Sequence, residues 1–321
     1  MKSTSRRPSW AVGIVALAMV PAAAPAAAQS PPFSIIGGNV QKRANGVLAL
    51  MGYQLTPDVT TGSLSLANDA SGDPDFSMVS VGGGFTFSKD FPLYVEGTAA
   101  YSRYDPAFIA SDGREERQIP TRWNSVSGTG GAGWDFPIVE NVVFRPIFNF
   151  SLGHVESDLA VAERIIERRT GSDIEFLENG RLNAYGLGGS VMLDYERYRP
   201  ENEIDVELRY TNIYLQSTSG TSEAVKGSAS AQSASLWSRW RAPTGLRVLE
   251  RPVRYVLELA HTQFLGDLRG VLGFDSLTSL GTGFELDSSA YDIFVTRTRV
   301  VGRFQIGDNV RGWSIGIAVS F

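Results

Sequence analysis

The sequence predicts an all-β fold: a transmembrane antiparallel up-and-down β-barrel of about twelve strands. Three observations predict it. At the end of the chain Trp313, Ile315, Ile317, Val319 and Phe321 share one face of an alternating run, and Gly312, Ser314, Gly316, Ala318 and Ser320 share the other. The start of the chain reads as an export signal. Between these ends, short and long connections alternate along a series of period-two segments.

The first element is residues 1–28. Lys2, Arg6 and Arg7 make a positive start, residues 10–20 form a short apolar stretch, and Ala26-Ala27-Ala28 precede Gln29 as small residues suited to cleavage. This is a secretory signal peptide, with an apolar core too short to span a bilayer. The leader, 29–57, opens on a polar Pro-containing stretch. Val40, Ala44, Val47, Leu48 and Met51 then fall near helical spacing, while Gly37, Gly38, Gly46 and Gly52 weaken a helix. Two readings stand for it: a helix, or a pair of extra strands near 33–40 and 46–55.

Residues 58–321 carry the barrel. Period-two reading places strands at 58–67, 76–88, 92–104, 121–136, 140–155, 181–196, 202–216, 227–241, 251–263, 280–288, 291–305 and 310–321. The turns at 89–91, 137–139, 197–201, 242–250 and 289–290 are mostly short. The alternate connections at 68–75, 105–120, 156–180, 217–226 and 264–279 are long, with 306–309 the exception. Short periplasmic turns and long outer loops are the asymmetry of bacterial barrels, and it puts both termini in the periplasm.

The faces are readable too. Ile204, Val206, Leu208 and Tyr210 alternate with Glu203, Asp205, Glu207 and Arg209; Phe144, Phe148, Phe150 and Leu152 alternate with Arg145, Asn149 and Ser151. A charge facing lipid at mid-depth costs about 2–4 kcal/mol, so the charged face is the lumen. Glu96, Arg145, Asp205, Glu207, Arg209, Arg239, Glu258, Arg297 and Arg299 are assigned inward on this basis. They either pair with one another in a narrow interior or line a passive pore. Tyr94, Trp134, Tyr195, Trp240 and Trp313 are expected in the interfacial girdles.

Composition sets the limits. Removing the signal takes three of the 29 basic residues and leaves 26 against 34 acidic ones, a net charge near −8. That argues against a nucleic-acid partner. With no cysteine there is no disulfide framework and no thiolate metal site. A mean hydropathy of −0.07 excludes a helical membrane protein.

Several stretches resemble the solitary outer-membrane autotransporter-like barrel domain. They are residues 55–66 (LTPDVTTGSLSL), 91–97 (FPLYVEG), 101–106 (YSRYDP), 122–125 (RWNS), 133–137 (GWDFP) and 307–316 (GDNVRGWSIG). The resemblance implies a twelve-stranded barrel of autotransporter type, with no established enzymatic activity and no cofactor. In that family a helix threads the pore, and the leader is similar to such a helix or plug; it is too short for a secreted passenger. The expected location is the outer membrane of a Gram-negative bacterium. The expected partners are outer-membrane lipids and lipopolysaccharide, and, during biogenesis, periplasmic chaperones and the barrel-assembly machinery. The alternating tail ending in Phe321 is the expected assembly signal.

Other chemistry is thin. His154 has Ser151, Ser157 and Glu156 nearby, the residue types of a lipid hydrolase, and His261 has only Thr262 and Gln263; histidines at the headgroup interface are the plainer reading. Two histidines without cysteine make no transition-metal site. Arg164, Arg168 and Arg169 in the 156–180 loop suit lipopolysaccharide phosphates or a solvated helical turn. Asp69, Asp73 and Asp75 have calcium-like spacing without the distal Glu of a calcium loop.

Overall fold

The computed structural model describes residues 61–68, 75–105, 107–111, 116–120, 123–157, 181–221, 227–270, 274–289, 295–308 and 310–320. The expected signal peptide and leader, Asp69, Asp73, Arg164, Arg168, Arg169 and Phe321 lie outside these residues.

The strands are β1 (Thr61–Asn68), β2 (Asp75–Thr86), β3 (Leu93–Asp105), β4 (Ala107–Ser111), β5 (Glu116–Pro120), β6 (Trp123–Trp134), β7 (Phe136–Val139), β8 (Val142–Ser157), β9 (Arg181–Tyr198), β10 (Glu203–Ser217), β11 (Ser228–Val248), β12 (Arg251–Gly266), β13 (Ser276–Asp287), β14 (Arg297–Gly307) and β15 (Val310–Ser320). β4 and β5 form a separate hairpin. The other thirteen make one antiparallel sheet. β6 and β7 run in line along β8, broken at Asp135, so the wall has twelve staves. β6 also pairs with β3, and β1 pairs with β15 from Thr61↔Ile317 to Asn68↔Val310. The ring of pairings is therefore closed and leaves no free stave among the described residues, as backbone groups inside a bilayer require.

Several predicted boundaries move. The turn expected at 137–139 is strand β7, and the chain turns instead at Glu140 and Asn141. The turn expected at 242–250 is mostly strand: β11 continues to Val248 and only Leu249 and Glu250 separate it from β12. Pro243 and Gly245 sit at a bulge there, where the register shifts between Pro243 and Arg247. The turn expected at 289–290 instead runs from the end of β13 at Asp287 to the start of β14 at Arg297. Most of the loop expected at 105–120 is the β4–β5 hairpin.

The outside of the wall is apolar. Val79, Val81, Phe85, Phe148, Phe150, Leu152, Leu187, Val191, Leu193, Leu208, Leu257, Leu259, Phe284, Val300, Phe304, Ile315 and Ile317 are all exposed. Phe85, Phe87, Phe91 and Trp134 form a chain of ring contacts at the turn end, with centroids 5.1, 6.2 and 5.5 Å apart. In water such a surface would aggregate; in a bilayer it is the lipid face.

The alternation keeps its phase along each stave, but its polarity inverts toward the loop end. On β10, Leu208 and Tyr210 are exposed while Asp205 and Arg209 are buried; four residues on, Ile213 and Leu215 are fully buried. β8 and β9 invert likewise, with Val155 and Leu182 buried inside and His154 and Arg181 outside. A spanning strand needs only about 9–11 residues. β9 has 18 and β11 has 21, so staves extend past the hydrocarbon. There the wall behaves as a water-soluble barrel does, with polar residues outside and an apolar core within. Phe76, Trp123, Val155, Leu182, Ile213, Leu215, Phe264, Leu268, Phe274, Leu277 and Val310 join in one buried cluster at this end.

Candidate functional site: the lumenal ion-pair network

Below the apolar cap, the inward faces carry charges in fixed partnerships. The central one joins Glu96 on β3 to Arg209 on β10. Arg209 donates through Nη1 to Glu96 Oε2 and through Nη2 to Oε1, both at 2.7 Å. The side chains are 1% and 5% exposed, so the pair is excluded from water. Around the ring, β6, β8 and β9 separate β3 from β10, so the bond crosses the lumen. Asn149 Nδ2 donates to Glu96 Oε1 at 2.8 Å and Tyr94 Oη to Oε2 at 3.1 Å. Ser190 Oγ donates to Asn149 Oδ1 at 2.6 Å, which ties β9 into the same unit. Glycine makes the room: a Cβ at Gly131 would lie 2.7 Å from Asn149 Nδ2 and from Glu96 Cγ.

A second girder joins Arg297 on β14 to Glu203 on β10, at 2.6 and 3.1 Å. Glu203 also meets Arg254 at 2.8 Å and Arg241 at 2.9 Å. Arg241 reaches Asp205 at 3.1 Å and Glu285 at 3.2 Å, Arg239 binds Asp205 at 2.5 Å, and Arg303 binds Glu258 at 2.7 Å. Arg299 lies between Glu258 at 3.7 Å and Glu285 at 3.3 Å. At the turn end Arg145 pairs with Asp135 and, at 3.1 Å, with Asp194, and it stacks over the Tyr94 ring at 4.0 Å.

All nine charges assigned inward from the sequence lie on this face. Glu96, Arg145, Asp205, Arg209, Glu258 and Arg299 are buried; Glu207, Arg239 and Arg297 are half-buried. Glu203, already read on the charged face of β10, is buried here as well, whereas sequence reasoning missed Asp135, Asp194, Arg241, Arg254, Glu285, Asp287 and Arg303. Parity was the available signal, since Arg241 shares a face with Arg239, and Glu285 and Asp287 share one. Tyr94 corrects the girdle assignment: it has the parity of Glu96, is 8% exposed and points inward. Trp134, Trp240 and Trp313 face outward as girdle residues do, and Tyr195 is half-buried. Trp313, Ile315, Ile317 and Val319 are 47–59% exposed on the outer face of β15.

Among the described side chains, the hydrolase constellation does not assemble. Ser151 is fully buried on the inward face of β8, whereas His154 is on the outward face. His154 Nδ1 is 2.7 Å from Asn183 Oδ1, and Nε2 is 3.7 Å from Glu156 Oε2. His261 Nδ1 is 2.9 Å from Thr278 Oγ1. Both histidines stand on the outer surface, where it turns from apolar to polar.

A closed antiparallel barrel, apolar outside and ionic within, defines a membrane-spanning β-barrel. No family model and no curated protein matches the chain. Among solved structures it is similar to the β domain of the Bordetella autotransporter BrkA, at 14% identity and TM-score 0.45, covering 82% of this chain and 97% of that one. It is also similar to the transport unit of the autotransporter AIDA-I from Escherichia coli, at 12% identity and TM-score 0.45, covering 87% and 99%. A third is the KdgM porin, solved with disordered oligogalacturonate, at 7% identity and TM-score 0.36, covering 82% and 99%. At these identities the likeness concerns the barrel fold, and the assignment to membrane barrels rests on the chain's own pairing and faces.

Proposed function

We propose that the chain is a non-enzymatic barrel of the Gram-negative outer membrane, of autotransporter-translocator type, whose lumen is closed to free solute diffusion. One observation carries the reading: the Glu96–Arg209 pair bridges the lumen beneath a continuous apolar cap. Water-filled pores keep their wall charges solvated and separated; here both girders are bonded across the opening, and the Glu96–Arg209 pair is dry. The absence of enzymatic chemistry is supported by Ser151 and His154 standing on opposite faces of β8.

The stave ends at Thr61 and Ser320 lie at the turn end, which we assign to the periplasm. The outer headgroup level, with His154, Arg181 and His261, faces lipopolysaccharide. The exposed face of β15, with Phe321 beyond it, is the surface offered to the barrel-assembly machinery.

Planar-bilayer recording of refolded protein tests closure. A silent barrel is expected, both in the full chain and after residues 30–55 are deleted, because the girders and the cap belong to the staves themselves. A steady ohmic conductance in the full chain favours a passive porin-like channel instead. Intact phospholipid and lipid A after incubation with the protein are expected, and their hydrolysis overturns the non-enzymatic reading.

A further inference from the structure

Toward the loop end from Tyr210, the outward positions of β10 are Asn212, Tyr214 and Gln216. Those of β11 opposite them are Gln232, Ser230 and Ser228. Tyr214 is 51% exposed, and directly below these positions the paired Leu208 and Leu236 are exposed on the lipid face. On the inner side of the same stretch, Ile213 and Leu215 are buried in the apolar cap, so this part of the wall stands above the hydrocarbon. The polar facet is continuous with the lipid face beneath it.

None of these six residues is charged. A solvated surface carries about 25–35% charged residues, and the neighbouring Arg181 on β9 with Glu156 on β8 follows that habit. Here hydroxyls and amides are tied into a fixed network instead. Ser230 Oγ donates to Asn212 Oδ1 at 3.2 Å, and Gln232 Nε2 donates to Ser230 Oγ at 3.0 Å. Tyr185 Oη, on β9, donates to Gln216 Oε1 at 3.0 Å. Each bond uses one end of an amide and leaves the other: Asn212 Nδ2 and Gln216 Nε2 as donors, Gln232 Oε1 as an acceptor. Fixed donors and acceptors beside an exposed tyrosine ring match a sugar, which has hydroxyls at its edge and an apolar C–H face. They do not match phosphate, which calls for arginine or lysine.

We propose that this facet holds the sugar headgroup of an outer-leaflet glycolipid, whose acyl chains lie along Leu208 and Leu236 below. The proposal rests on the outward assignment of the loop end made above. Tyr214 covers one face of a sugar ring, and Asn212, Gln216 and Gln232 bond its hydroxyls. Continuity with the apolar belt favours a lipid over a soluble glycan, because one molecule then covers both surfaces. A headgroup also suits a facet two strands wide, whereas a protein partner would need roughly 800 Å². The sheet and the side-chain bonds hold these groups in place before binding, which keeps the ordering cost small.

The test uses the refolded full chain in phosphatidylcholine nanodiscs that contain either a diglucosyl diacylglycerol or phosphatidylglycerol with the same acyl chains. Native mass spectrometry reads the lipid that stays on the released barrel. The parent should retain the glycolipid over phosphatidylglycerol by roughly tenfold or more. Asn212→Ala with Tyr214→Ala should abolish that preference. Asn212→Lys with Gln232→Lys puts cations in the same places and should reverse it, a gain that misfolding cannot mimic. Equal retention of the two lipids by the parent, retention of phosphatidylglycerol over the glycolipid, or a preference unchanged in both variants would each overturn the proposal. The outward assignment is read separately, with a membrane-impermeant thiol reagent on Ser219→Cys in the β10–β11 loop of intact cells. No labelling there overturns that assignment, and with it the outer leaflet, while the nanodisc preference still reports on the facet itself.

Discussion

Replacing Glu96 by alanine isolates the central girder. The substitution removes the acceptor of two 2.7 Å bonds from Arg209 and leaves a guanidinium that is 5% exposed without its counter-ion. It also strands Asn149 Nδ2 and the Tyr94 hydroxyl. Removing one partner of a buried pair costs about 3–5 kcal/mol, because the surviving charge stays desolvated. Replacing both partners, as in Glu96→Leu with Arg209→Met, removes that penalty and should return the barrel to within about 1 kcal/mol of the parent or above it. Urea unfolding from lipid vesicles, followed by tryptophan fluorescence, reads both numbers. A loss below about 1 kcal/mol for Glu96→Ala, the range of a solvent-exposed pair, would refute the dry girder and indicate a hydrated lumen.

Three further outcomes follow from the same geometry. Ile315→Arg puts a guanidinium on the outer face of β15 and should cost about 2–4 kcal/mol in the same assay; a neutral effect would contradict lipid contact at that stave. Gly131→Val pushes a side chain into Asn149 and Glu96 and should destabilise by about 1–3 kcal/mol, whereas an unchanged midpoint would show slack in the packing. Leu249→Asn with Glu250→Gly should stabilise by about 1–2 kcal/mol by relieving two left-handed residues; destabilisation would mean the leucine packs on its own barrel.

The spanning halves of the staves were legible because one physical rule governs them: lipid outside, charge inside, period two. Ile204 to Tyr210 follow it without exception. The same rule hid the apolar cap. Ile213 and Leu215 continue the inward phase, but they lie above the hydrocarbon, where water reverses which face must be polar. A reading by polarity alone sees only a fading strand there. Tyr94 was misassigned because aromatic character outweighed its parity with Glu96. The length of β11 was hidden within the turn expected at 242–250, where Pro243 and Gly245 instead mark a bulge in a continuing strand. The pairings across the lumen were not legible at all. Glu96 and Arg209 are 113 positions apart, and only closure of the ring brings them together.

The natural chain has no cysteine, so a single introduced thiol reports without background. Ser190 lies on the inward face, 4% exposed, beside the Glu96–Arg209 girder. Labelling of Ser190→Cys by a small water-soluble thiol reagent in the folded, membrane-inserted barrel is the most direct measurement of a sealed interior. The thiol should stay protected until the barrel is unfolded. Rapid labelling in the folded state, at the rate of a solvent-exposed cysteine, would contradict the closed lumen.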